Sequence, residues 1–100
     1  MALTPDAAGA LIGELTRRIE ALQAGKYQGR DQAGLAVATV DGEGLVCDVT
    51  LVKSISRHRS DAVAKAVHEA VQAAQLSLAE AFETLAAQAQ KLAEEEIGDE

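Results

Sequence analysis

A chain of 100 residues is long enough for one domain, and its single cysteine, Cys47, excludes an intrachain disulfide. Hydrophobic residues make up 48% of the chain, but 21 residues are alanine, which predicts a thin core that a second copy would help to stabilise. The net charge of −7 arises in residues 66–100, where Lys91 stands alone against eight acids. No basic segment precedes an apolar run at the N-terminus, and no apolar run reaches the roughly 18 residues of a membrane span, so we expect a cytoplasmic protein.

The first predicted element is a helix over residues 4–24. Thr4 fits its N-cap and Pro5 its first helical position. Large aliphatic side chains recur at helical spacing and give this helix one apolar face, formed by Leu11, Leu15, Ile19 and Leu22. Gly25 is a typical C-terminal stop.

The central part of the chain predicts a small antiparallel sheet. Residues 26–34 are expected to form a loop, in which residues 26–30 are an optional third, edge strand. Residues 35–41 and 44–52 are predicted to be strands, joined by the hairpin sequence VDGEG. Strict alternation gives the first strand a bulkier face (Leu35, Val37 and Thr39) and a smaller one (Ala36, Ala38 and Val40), and places Cys47, Val49 and Leu51 together on the second strand.

Residues 60–96 are predicted to form one long helix, with Ser60 as N-cap and Asp61 in the first turn. Small and aliphatic residues at spacings of three and four form a stripe along it: Val63, Val67, Ala70, Ala74, Leu78, Ala81 and Leu85. Such a helix is about 55 Å long, whereas a compact domain of this size has a radius of gyration of roughly 13 Å. The helix must therefore project from the domain or be shared with a second chain. The acidic tail, residues 94–100, is expected to keep the protein soluble; the alternatives are a mimic of DNA and a brake on DNA binding.

The sequence YQGRDQAGLAVATVDGEGLVCDVTLVKSI, residues 27–55, resembles the YbaB/EbfC family of bacterial nucleoid-associated proteins. Gly29, Gly34 and Gly42 have the family's spacing of five and eight, and an apolar pair, Val49 and Leu51, follows in the second strand. The opening of the family's long helix then fits without a gap, at Ile55, Val63, Val67, Ala70 and Ala74, so that the resemblance covers roughly residues 27–75.

The resemblance implies an α+β fold of the order α-β-β-β-α, a homodimer with projecting helices, sequence-tolerant DNA binding and no catalytic residues. In the family, basic residues near the ends of the projecting helices contact DNA. This chain differs, because its first helix has no Lys or Arg before Arg17 and its long helix ends in EEEIGDE.

The most basic segment is KSISRHRSDAVAK, residues 53–65, between the last strand and the long helix. Its cations, Lys53, Arg57, Arg59 and Lys65, outnumber Asp61, and a helix N-terminus would add to an anion site. We therefore predict contacts with DNA phosphates that do not read the bases. The alternative is a solvated loop whose arginines pair with neighbouring acids.

Arg17 and Arg18 are further candidates for DNA contact. As neighbours on a helix they point about 100° apart, so both cannot face one row of phosphates equally. The alternative for this pair is an ion pair with Glu14 or Glu20.

Nothing in the sequence supplies an acid–base pair, a nucleophile or a metal site, so we expect neither an enzyme nor a cofactor. Cys47 lies between apolar neighbours and is expected to be a small buried side chain. Two functions remain open. One is a nucleoid-associated homodimer that binds DNA non-specifically, and the other is a dimeric scaffold of the same fold that binds another protein and has lost DNA binding.

Overall fold

The computed structural model describes the backbone of residues 5–97 and the side-chain surroundings of residues 8–95. Helix α1 (Pro5–Ala24) leads into strands β1 (Lys26–Arg30), β2 (Ala36–Asp41) and β3 (Val46–Leu51), and a 3₁₀ turn (Lys53–Arg57) leads into helix α2 (Ser60–Ile97). This order confirms the α+β class and the α-β-β-β-α arrangement, and the optional strand at residues 26–30 is present. The predicted N-cap Thr4 and residues 98–100 of the tail lie outside the described residues.

The three strands form an antiparallel sheet in the order β1-β2-β3. The predicted hairpin joins β2 to β3, and the carboxylate of Asp41 organises it by accepting hydrogen bonds from the backbone N–H groups of Glu43 (2.8 Å) and Leu45 (3.0 Å). These bonds hold the pKa of Asp41 below its usual value. Gly44 closes the turn with a φ of 84°, a conformation that favours glycine.

Helix α2 packs over β1 and β2, and the face of β2 that it covers is the smaller one. Ala36, Ala38 and Val40 are buried there against the alanines of the stripe, of which Ala70 and Ala74 are fully buried. Gly29 of β1 explains the close packing, because a Cβ atom built on it would overlap the backbone of Ala73 and Ala74. Small side chains on both surfaces let the helix axis lie close to the sheet.

Strand β3 is an edge strand that α2 leaves uncovered. A β-bulge next to Thr39 and Val40 shifts the register, so that Val46, Val49 and Leu51 pair with the core residues of β2 and lie on the same face of the sheet. These three side chains are 49%, 38% and 40% exposed. The prediction of a buried Cys47 on this face was wrong: the bulge takes it out of strict alternation, and its position on an uncovered edge strand leaves it exposed.

Beyond the sheet, α2 continues beside α1, and the two helices run antiparallel. We call α1 together with residues 78–97 of α2 the arm. The hydroxyl of Tyr27 donates to the carbonyl of Leu22 (2.7 Å) and fixes the base of the arm to β1. The chain is accordingly elongated, with extents of 64 × 19 × 15 Å and a radius of gyration of 19.3 Å. Neither helix, over residues 5–97, is long and apolar enough to cross a membrane.

Candidate nucleic-acid interface

The connection between β3 and α2 is short and held by backbone hydrogen bonds. The N–H of Val52 donates to the carbonyl of Leu35 (2.9 Å) and fixes the exit from the sheet. Within the 3₁₀ turn, the N–H of Ile55 donates to Val52 (3.0 Å), and that of His58 donates to Ile55 (3.1 Å). The N–H of Val63 donates to the carbonyl of Arg59, so Arg59 occupies the N-cap position predicted for Ser60.

The four cations of this connection, which we call the junction cluster (Lys53, Arg57, Arg59 and Lys65), are all exposed. No residue of the 3₁₀ turn is buried. Arg59 Nε lies 3.5 Å from Asp61 Oδ1, and Lys65 Nζ lies 4.0 Å from Glu69 Oε2. Exposed ion pairs of this kind are worth roughly 0–1 kcal/mol, so these cations remain free to exchange partners.

Lys53 and Arg57 have no carboxylate within 4.0 Å among the side chains of residues 8–95. The cluster therefore keeps a small excess of positive charge, with four cations against Asp31, Asp61 and Glu69. Its members lie on both sides of the N-terminus of α2 in the sequence, and the helix dipole there also favours an anion, although the N–H of Ala62 already donates to the carboxylate of Asp61 (3.0 Å). This arrangement is able to hold phosphate groups without contacting bases.

Beside the junction cluster, Asp31 and Glu69 border a small cleft of about 250 Å³ together with Lys65. Asp31 is buried, and its carboxylate accepts a hydrogen bond from the N–H of Ala36 (2.8 Å). Burial by itself raises the pKa of Asp31, but hydrogen bonds from the backbone of residues 31–36 outweigh burial and lower the pKa. Asp31 is thus an ionised group that shapes the β1–β2 loop.

Arg17 and Arg18 lie far from the junction cluster. Both pair with Glu14, and Arg18 also donates to the side-chain oxygen of Gln88 (2.9 Å). The hydrogen bond from Arg18 is the main cause of the lowered pKa of Glu14, to which the charge of Arg17 also contributes. Gln88 is 28 residues after Ser60, or about 42 Å along α2, so the structure does not bring the two sets of arginines together.

No group of three or more His, Cys, Asp and Glu side chains among the described residues is placed to hold a metal ion. His58 and His68 are both exposed, and Cys47 lies on the sheet edge with its sulfur 3.6 Å from Lys26 Nζ.

No protein-family model matches this chain, and no curated protein matches it significantly. Among solved structures, the chain is similar to the crystal structure of an uncharacterized protein, HP0035, from Helicobacter pylori. The TM-score is 0.59 at 15% sequence identity, and the match covers 79% of this chain and 93% of that chain. At this identity the similarity establishes a shared fold.

Proposed function

We propose that this protein is a nucleoid-associated DNA-binding protein of the YbaB/EbfC type. It acts as a homodimer in the bacterial cytoplasm and contacts DNA phosphates with little regard to sequence. The observation that carries the proposal is the junction cluster, in which four exposed cations lie within 13 consecutive residues that span the start of a 38-residue helix. The three glycines and the stripe that resemble the family supply the second line of support.

The charge distribution favours the junction cluster over the arm as the place of contact. The arm carries eight carboxylates against Arg17, Arg18 and Lys91. A duplex that touched both the arm arginines and the junction cluster of one chain would have to run along the acidic half of α2. We therefore assign the main contacts to Lys53, Arg57, Arg59 and Lys65, and a secondary role to Arg17 and Arg18.

The uncovered apolar surface of β3 supports the homodimer. Val46, Val49 and Leu51 lie beside the covered part of the sheet, and the outer edge of β3 has free backbone hydrogen-bonding groups. Such an edge favours pairing with another chain unless it is protected. A second copy that packs on this surface would bury these side chains, and it would give each particle two junction clusters.

The test is a DNA titration by fluorescence anisotropy at several salt concentrations. Phosphate contacts release counterions, so the logarithm of the affinity should fall linearly with the logarithm of the salt concentration, with a slope of roughly −0.9 per phosphate neutralised. The variant in which Arg57 and Arg59 are both changed to alanine should bind all sequences more weakly to the same extent, and its salt slope should be flatter.

The matched control changes Lys26 and Lys91 to alanine. It removes the same amount of charge from exposed positions away from the junction cluster, and we expect it to bind nearly as the natural protein does. An equal loss of DNA affinity in both double variants would show that binding depends on the net charge of the protein and not on the junction cluster. Absence of binding to any duplex at low salt would favour the dimeric scaffold that has lost DNA binding.

A further inference from the structure

A second surface lies on the arm, at the other end of α2 from the junction cluster. It is an open groove of about 300 Å³ between the two helices, lined by Leu15, Ile19, Phe82, Leu85, Ala86 and Ala89. The lining is almost entirely apolar, and Ile19 and Phe82 are 41% and 40% exposed. Ile12, two turns before Ile19 on the same side of α1, is also exposed and extends the groove.

The charged residues next to this groove are acidic. Glu20 and Glu83 directly follow Ile19 and Phe82, so they point about 100° away from these two side chains, toward the solvent side of the groove. Glu94 lies close to three turns beyond Glu83 on the same side of α2. The cations of the arm point elsewhere. Lys91 is nine residues after Phe82 and so lies on the opposite side of α2, and Arg18 is bound to Glu14 and Gln88 across the other surface of the helix pair.

We propose that this groove binds a cationic amphipathic helix of a partner protein. A groove between two antiparallel helices fits a third helix, which buries large apolar side chains between them. Phe82 and Ala89 are seven residues apart, as are Ile12 and Ile19, so the groove extends over about 10 Å, or two helical turns. The matching ligand has apolar residues at positions i, i+3 or i+4, and i+7, with Lys or Arg beside them to face the three glutamates.

The charge of the chain argues against a second copy as the occupant. α1 carries three acids against two cations, and α2 carries seven acids against two. Either helix of a second copy would bring more carboxylates to an acidic rim, and like charges at close range oppose association. A cationic amphipathic helix matches both the apolar lining of the groove and the glutamates that flank it.

The experiment uses the full chain and a fluorescent synthetic peptide of about 18 residues, composed of Leu and Lys, with Leu at the spacing given above. A reference peptide has Glu in place of every Lys. We expect the Leu/Lys peptide to bind and to become helical, and the Leu/Glu peptide to bind at least tenfold more weakly. Anisotropy gives the affinity and circular dichroism gives the helix content.

Two variants test the site itself. Phe82→Ala removes the largest apolar wall, and loss of an interface anchor of this size weakens binding roughly tenfold or more. Changing Glu20 and Glu83 together to glutamine leaves the apolar packing intact and should weaken binding about two- to tenfold, since each exposed charge pair contributes little. The loss in this second variant should shrink as salt increases. The matched control is Leu76→Ala, an exposed leucine of α2 outside the groove lining, which should have no effect.

Three results would overturn the proposal. Equal binding of the Leu/Lys and Leu/Glu peptides would mean that the groove takes any apolar helix, and equal losses in Phe82→Ala and Leu76→Ala would mean that the peptide binds elsewhere. A halved mass for Phe82→Ala in light scattering would show that a second copy of the chain occupies the groove. The outcome is separate from the DNA test, because the groove and the junction cluster are at opposite ends of α2.

Discussion

Three glycines, Gly29, Gly34 and Gly42, are each required for a different structural reason. Gly34 has a φ of 75°, which favours glycine in the β1–β2 loop. A Cβ atom on Gly42 would lie 2.6 Å from the backbone carbon of Gln23, where the hairpin meets the end of α1. One on Gly29 would lie 2.6 Å from the carbonyl oxygen of Ala70, where β1 meets α2. The spacing of these glycines therefore reflects where the sheet touches each helix.

Gly29→Ala should destabilise the protein strongly, because the added methyl meets backbone atoms, which cannot rotate away. Overpacking of this kind costs about 1–3 kcal/mol and sometimes more. The matched control is Gly13→Ala in α1, where a Cβ atom meets nothing within 4 Å. That change should stabilise the helix by roughly 0.5–1 kcal/mol. Urea unfolding at one fixed protein concentration measures both, and a Gly29→Ala variant as stable as Gly13→Ala would show that α2 moves away easily.

At the scale of the elements, the sequence predicts most of the fold. The cap-like residues, the Asp-Gly turn and the apolar periodicity predict both helices and two strands to within about two residues, because these signals are local. Sequence alternation does not predict the bulge beside Thr39 and Val40, which depends on how β3 pairs with β2. For the same reason the exposure of Cys47 was missed.

The candidate site is predictable in part. The junction cluster is contiguous in sequence, so its position between strand and helix follows from the order of the elements. The burial of Asp31 and the apolar groove both depend on residues distant in the sequence. Only the packing of α2 on the sheet and on α1 creates them.

The first part of the stripe on α2 packs against the sheet of its own chain, where Ala70 and Ala74 are buried. Ala74→Glu would place a charge where the side chain is fully buried against the sheet. An unpaired buried charge costs several kcal/mol, comparable with the whole stability of a small domain, so we expect this variant to be unfolded. Ala87→Glu makes the same change at an exposed position of α2 and should alter stability by about 0.5 kcal/mol or less. Circular dichroism melts compare the two, and equal melting temperatures would show that the stripe tolerates a charge.

For the whole molecule, the central prediction is that two chains associate through β3. Light scattering should give twice the 10.4 kDa mass of one chain. Val49→Lys places a charge on the part of the sheet, at β3, that α2 leaves uncovered, and it should shift the equilibrium to monomers. Thr50→Lys changes the next residue, which pairs with Val37 on the opposite face, and should leave the mass unchanged. A mass near 10 kDa for the natural protein at micromolar concentration would contradict the homodimer.

The length of α2 gives the molecule a strong electrical asymmetry. Ser60 and Ile97 are about 55 Å apart along the helix, several times the screening distance of roughly 8 Å at physiological salt. If a duplex is bound at the junction cluster, each arm would project away from it, with its carboxylates beyond the electrostatic reach of the phosphates. The acidic arms of neighbouring molecules would repel one another. Low salt would therefore raise the affinity of each molecule for DNA while lowering the number of molecules that bind side by side. Rising salt would have the reverse effect: the affinity for DNA would fall, and more molecules would bind per unit length of DNA.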